Sequence, residues 1–216
     1  MKLHIDGNEI VAQPGESLLD LVSRLGMISG KLSEDPIAAK IAGRVFTLNY
    51  IPVRQKDVTP ERKSIRTAMA ASGGNVNLIR YSEPTGRDVY TKTAQFILFL
   101  AIKRLWPSAQ GSMNCTVGSG LYFKVTKADG FSSDKLKAEV QNIVSENFPL
   151  NRKRMQTADL IKYYESIGEH DKATLLTYRK KEYIDAYENG GFIDYFYGEM
   201  APSTGFLKSW DIIPAP

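Results

Sequence analysis

Residues 1–26 read MKLHIDGNEIVAQPGESLLDLVSRLG, and the change of hydrophobic period within them decides the fold class. Lys2, His4 and Asp6 interleave with Leu3 and Ile5, the period of two that a half-buried strand requires. Asp6-Gly7-Asn8 is a turn signal, and residues 9–13 return as a second strand, so the chain opens on a β-hairpin. Pro14-Gly15 breaks the hairpin. Glu16 and Ser17 then open a helix on which Leu18, Leu19, Leu21, Val22 and Leu25 share one face, and Gly26 suits its C-terminal cap.

Outward from this stretch, residues 36–41 and 44–48 read as two strands around the turn Ala42-Gly43. A polar excursion over 54–74 follows. Thr59-Pro60-Glu61 starts a helix with proline at its first position, Ala71 ends it, and Ser72-Gly73-Gly74 stops it. Residues 76–81 read as a closing strand. The order β-β-α-β-β, an excursion, then β is that of a β-grasp domain over residues 1–82. Glu83-Pro84-Thr85-Gly86 reads as a linker.

The region 87–216 reads as a second α+β domain, an antiparallel sheet with helices. Phe96, Ile97, Phe99, Leu100, Ile102, Leu105 and Trp106 form the stripe of a strong helix that Pro107 closes. Residues 111–117 and 121–126 form a hairpin around Gly118-Ser119-Gly120. Ser132 or Ser133 caps a helix over about 134–147. Thr157 caps another over 158–167, and a further helix covers 171–178. Strands at 182–188 and 191–197 flank Asn189-Gly190, and 206–213 reads as a last strand.

Composition narrows the function. The 28 basic and 24 acidic residues leave a net charge of +4, too mild to demand nucleic acid and compatible with it. One cysteine, Cys115, excludes an intrachain disulfide and fits a reducing, cytoplasmic setting. Residues 1–7 lack the apolar segment of a signal peptide, and the longest apolar run, near 96–102, is far short of the roughly 20 residues of a membrane span.

Two stretches resemble known families. Residues 1–81, through Pro14-Gly15-Glu16-Ser17 and Pro36-Ile37-Ala38-Ala39-Lys40-Ile41, resemble a TGS domain, the small β-grasp module of threonyl-tRNA synthetases and some GTPases. Ala101-Ile102-Lys103-Arg104-Leu105-Trp106-Pro107, Gly118-Ser119-Gly120-Leu121-Tyr122-Phe123 and the run FIDYFYGEMAPSTGFLK at 192–208 resemble the second additional, editing domain that follows TGS in those synthetases. Tyr195-Phe196-Tyr197-Gly198 with 202–208 looks closest to the N-terminal half of long, uridine-kinase-like nucleoside kinases. That last resemblance implies a regulatory or ligand-binding region whose partner is its own C-terminal kinase domain. ATP and magnesium would belong to that domain and not to this chain. The ending Ile213-Pro214-Ala215-Pro216 reads as a linker towards it.

The resemblance to the editing domain also implies what is lost. Its His-x3-His and Cys-x3-His pairs fall on Phe96 and Leu100 and on Phe196 and Met200. Residues four apart on a helix share a face, so Phe96 and Leu100 would point the same way, and the resemblance implies that Phe196 and Met200 face the same cleft. None of them moves protons or binds zinc. Such a cleft either shelters a ligand or the face of a partner domain, or has collapsed into core. No catalytic or metal-binding residue is expected. His4 and His170 read as surface residues, Cys115 as a buried or half-buried strand thiol, and Asp185 and Asp194 as solvated strand carboxylates. Gly26-Met27-Ile28-Ser29-Gly30-Lys31-Leu32 falls one residue short of a phosphate-cradling loop and carries Leu32 where the magnesium-binding hydroxyl belongs.

What remains is binding chemistry. Arg54, Lys56, Arg62, Lys63 and Arg66 cluster in the excursion, with Arg62 and Arg66 on one helical face. Arg152-Lys153-Arg154 and Arg179-Lys180-Lys181 form two further basic runs. Such groups hold phosphates of RNA or of a nucleotide, or else form an ordinary solvated surface. Tyr163, Tyr164, Tyr178, Tyr183, Tyr187, Tyr195 and Tyr197, with Phe192 and Phe196, read either as a base-stacking surface or as half-packed sheet positions. A stand-alone module binding tRNA-like RNA is therefore the alternative to the kinase-associated reading.

Overall fold

The computed structural model of the chain describes residues 1–53, 60–118 and 120–214. It falls into two compact units. One comprises Met1–Ala94 with Asn147–Asn151 and Gly198–Ser209. The other comprises Gln95–Glu146, Arg152–Tyr197 and Trp210–Pro216. Both mix sheet and helix, so the chain is α+β.

The first unit is built on a five-stranded sheet in the order β2-β1-β5-β3-β4. Its strands are β1 Lys2–Ile5, β2 Asn8–Val11, β3 Pro36–Ile41, β4 Arg44–Thr47 and β5 Asn75–Arg80. All neighbours are antiparallel except β1 and β5, which run parallel. The two-residue loop Asp6-Gly7 has positive φ at both positions (45° and 84°), the geometry that matches strand twist in a tight hairpin. Asp6 also reaches β5, where its carboxylate accepts from the Leu78 amide at 2.9 Å and from Arg80 Nη1 at 3.0 Å.

Helix α1, Leu18–Arg24, starts where the sequence places it. The Ser17 hydroxyl caps the Asp20 amide and the Asp20 carboxylate caps the Ser17 amide. Its end is equally well defined: Gly26 sits at φ 69°, its amide bonds Ser23 O, and the Met27 amide bonds Val22 O. Leu18, Leu21 and Val22 pack with Leu3, Ile5, Ile41, Leu48, Met69 and Val76 in one buried cluster. Met69 comes from α2, Pro60–Ala71.

Helix α3 runs over Pro84–Leu105, so residues 83–86 are the entry to a helix and not a linker. Proline suits a first helical turn. Gly86 is there for close approach: a Cβ at this position would lie 1.9 Å from the Arg80 carbonyl oxygen. Two later segments join this unit. The Leu150 amide bonds Pro202 O, the Thr204 amide bonds Phe148 O, and Asn49 Nδ2 reaches Pro202 O at 2.6 Å. The stretch expected as a last strand, 206–213, forms none. The Phe206 and Leu207 amides bond Ser203 O and Thr204 O, curling the chain into a 3-10 turn at Thr204–Phe206.

The second unit holds a hairpin, a three-stranded sheet and three helices besides the end of α3. The hairpin pairs β6, Gln110–Val117, with β7, Gly120–Thr126. Helix α4, Ser133–Glu146, takes its cap from Ser132, whose hydroxyl accepts from the Lys135 amide at 3.3 Å. The sheet has the order β10-β9-β8, with β8 Arg152–Gln156, β9 Tyr183–Asn189 and β10 Phe192–Tyr195. Strand β8 is unanticipated, because four of its five residues are exposed and it shows no period of two. Asn189 pairs with Phe192, so the hairpin loop is Gly190-Gly191, one residue beyond the expected Asn189-Gly190 turn.

Helices α5, Thr157–Ser166, and α6, His170–Thr177, pack on this sheet through Leu160, Tyr164, Ala173, Leu176 and Ile184. Thr157 is the first residue of α5 and not its cap. Its hydroxyl bonds Lys181 O at 2.6 Å. Among the described residues, no helix is long and apolar enough to cross a membrane.

Candidate nucleic-acid interface

Strand β10 is the edge of its sheet, and its outward amides need partners. Two neighbouring tyrosines of α5 supply them. The Tyr163 hydroxyl accepts from the Ile193 amide at 2.8 Å, and the Tyr164 hydroxyl accepts from the Tyr195 amide at 3.2 Å. Tyr164 in turn donates to Asp194 Oδ1 at 2.7 Å, while Lys172 Nζ of α6 meets Asp194 Oδ2 at 2.8 Å. Asp194 is only 3% exposed, so it is a buried, fully engaged carboxylate and not the solvated one expected. Burial first, and the Asp194 charge second, push the Tyr164 phenol far above its ordinary range.

From this anchor a line of rings runs to the surface. Tyr164 meets Tyr195 edge-on at 6.2 Å, and Tyr195 meets Tyr197 edge-on at 6.1 Å. The Arg179 guanidinium, just past α6, lies 4.4 Å from the Tyr197 ring centre and 5.5 Å from that of Tyr195. Tyr197 is 55% exposed and Tyr178 79%. Register puts Tyr183 at this same end of the sheet, since β9 begins there and β10 ends opposite Ala186. Tyr183 is 39% exposed with Arg154 of β8 held 5.1 Å over its ring. Lys180 and Lys181 are exposed and form no ion pair among the described residues. Of the basic run on β8, Arg152 and Lys153 face Asp185 and Glu188 at 3.6 and 2.7 Å, so part of its charge is neutralised.

The other expected positions are distributed differently. Arg54 and Lys56 lie outside the described residues, and Arg62, Lys63 and Arg66 fall on the backbone of α2. Phe96 and Leu100 are buried on α3. The Phe96 ring packs against Tyr187, Phe192 and Phe196, with centres 6.2, 5.5 and 6.2 Å away. Met200 is buried in the other unit.

His4 is on β1 with Nδ1 3.1 Å from Gly73 O, and His170 is exposed at the start of α6. Cys115 is exposed on β6, not buried or half-buried as expected, because the strand belongs to a two-stranded hairpin. The glycine loop 26–32 is filled from within. The Ser29 and Gly30 amides, which a phosphate would need, bond the Asp35 carboxylate at 2.6 and 2.9 Å. Among the described residues, no three His, Cys, Asp or Glu side chains gather as metal ligands do.

The sequence marked the tyrosines and the 179–181 basic run but could not place them together. Only the fold brings the end of α6 to the end of β10. The run of three basic residues between Tyr178 and Tyr183 is the signal that was available.

No family model matches the chain. It is similar to threonine–tRNA ligases. With that of Clostridium kluyveri it shares 26% identity over 208 residues, which is 94% of this chain and 29% of the ligase. With that of Acetivibrio thermocellus it shares 28% over 190 residues, 86% and 27% of the two chains. With that of Nitratidesulfovibrio vulgaris it shares 26% over 216 residues, 99% and 31%. The chain thus spans less than a third of the length of these relatives, and resembles the N-terminal region of a synthetase. A nucleoside-kinase parent finds no support among them.

Proposed function

We propose that this chain is an RNA-binding module related to the editing region of threonine–tRNA ligases, one that holds tRNA-like RNA without hydrolysing an aminoacyl ester. The observation that carries the reading is the surface at the end of the three-stranded sheet. Exposed Tyr178 and Tyr197 stand there with Arg179, which is followed by exposed Lys180 and Lys181, and Tyr183 under Arg154 lies at the same end on the other face of the sheet. Aromatic faces with adjacent cations are what a flexible nucleic-acid strand binds. Similarity across most of the chain to proteins named as tRNA ligases favours RNA over other anions. The first unit, with its 2-1-5-3-4 mixed sheet and packed α1, is read as a β-grasp module of the TGS kind.

The absence of hydrolysis rests on the four positions that the resemblance assigns to the editing pairs. Phe96, Leu100, Phe196 and Met200 supply neither a base nor a metal ligand. Phosphate contacts by Arg62, Lys63 and Arg66 of α2 belong to the same proposal.

Titrating unfractionated tRNA into the chain across a salt series tests the reading. Binding should weaken steeply as salt rises. The double variant Arg62→Ala with Arg66→Ala should lower the slope of log affinity against log salt by up to about 2, roughly one per phosphate contact removed. No complex at low salt would refute the RNA-binding reading.

A further inference from the structure

The geometry points to a stacking site for unpaired nucleotides centred on the Tyr197 ring and the Arg179 guanidinium. It rests on the RNA-binding reading and adds the form of the ligand: splayed single-stranded bases, not a duplex. An exposed tyrosine ordinarily swings freely, and a partner that binds it must arrest it. Tyr197 is already held. Arg179 covers it at 4.4 Å, and the Tyr195 ring centre lies 6.1 Å away with the two ring planes at 88°. Tyr195 rests on Tyr164, which is buried and bonded to Asp194. The ring at the surface is thus the last member of a ladder fixed in the interior, so little side-chain entropy remains to be lost on binding.

The charges are placed to match. A guanidinium stacked on a ring keeps its N–H edge turned outward, in the fork that suits a phosphate. Arg179 makes no ion pair among the described residues, and neither do Lys180 and Lys181, which follow it. Tyr178, beside Arg179 in sequence, is more exposed still at 79% and offers a second ring. Ring, fork and flanking ammonium groups match the alternation of base and phosphate along a single strand. In a duplex the base faces are covered by their neighbours, and the rings would contribute nothing.

Fluorescence anisotropy with an unpaired RNA of about ten nucleotides, a blunt RNA duplex of the same length, and unfractionated tRNA tests this. Tyr197→Leu should weaken the unpaired RNA about tenfold, and Tyr197→Phe by no more than about twofold. Arg179→Ala should lower the salt slope by about 0.7, the value for one contact to a single strand. Tyr178→Leu, at a more exposed position, gives an independent loss if Tyr197→Leu disturbs the fold. Equal affinity for duplex and unpaired RNA overturns the site. Persistent tRNA binding that neither tyrosine variant weakens also overturns it, and leaves the RNA-binding reading standing. No tRNA binding by the unmodified chain overturns both.

Discussion

The two units solve the same problem, stabilising a small twisted sheet, with different materials. Around the five-stranded sheet the main buried cluster is apolar, and the buried Asp35 carboxylate is held outside it by the Ser29 and Gly30 amides. Leu3, Ile5, Leu18, Leu21, Leu48 and Val76 fill the cluster, while the ion pairs Lys2–Glu9, Arg24–Glu16 and Lys31–Glu34 lie on exposed rims. Around the three-stranded sheet, charge moves inward. Lys172–Asp194 and Lys103–Glu169 are largely withdrawn from water, and two tyrosine hydroxyls close the edge of β10. Exposed pairs of the first kind contribute little. Withdrawn pairs of the second kind are costly to break, because removal of one partner strands the other. Polar anchoring also fixes side-chain positions, and an anchored aromatic ladder can reach the surface without losing its order. Among the described residues the first unit has a conventional core and no comparable exposed aromatic surface, and the second has both the polar frame and the candidate interface.

Breaking the frame should produce the largest effect. Asp194→Ala leaves Lys172 and the Tyr164 hydroxyl without their partner and should destabilise the second unit by about 3 kcal/mol, given that Lys172 keeps some solvent access. Hydrogen exchange checks this. Protection of the β9 and β10 amides should fall more than that of the β1 and β5 amides. Equal loss in both sheets would erase the contrast between them.

The next effect is pH-dependent. The Tyr164 phenol is pushed up by burial and by Asp194, so the folded state keeps its proton where the unfolded chain gives it up. Stability from this group is complete below the ordinary phenol value of about 10 and declines as pH rises above it. Denaturant midpoints measured from pH 8 to 11 should fall at the alkaline end, and Tyr164→Phe should flatten that limb.

The smallest effect lies in the first unit. Hydrogen bonds from the Ser17 hydroxyl and amide hold the Asp20 carboxyl below its usual range. A depressed carboxyl contributes above its unfolded value of about 4, and the contribution is lost as pH falls through the folded value. Asp20→Asn should therefore reduce the acid dependence of stability, with a cost near neutral pH of about 0.5 kcal/mol for so exposed a group.

The same contrast explains what the sequence revealed. The first unit was readable because its signals are local: alternation in β1 and β2, Ser17 and Asp20 at a helix start, Gly26 at its end, proline opening α2. Where the sequence misled, a local signal served a tertiary contact. Pro84 and Gly86 look like a linker, but the glycine admits the Arg80 carbonyl. The charged run at 152–156 is surface as it reads, and what the sequence hides is its pairing with β9. Asp194 looks solvated because its partners, Tyr164 and Lys172, are 30 and 22 residues away. The candidate interface was legible as residue types and not as a place, since two segments distant in sequence, 178–181 and 195–197, meet to form it.

The most direct test of the central claim follows one sample of mischarged aminoacyl-tRNA, reading bound fraction and intact ester together. The account predicts a salt-sensitive complex in which the ester decays no faster than in buffer. Ester loss accelerated by the chain, or no complex at low salt, would contradict it.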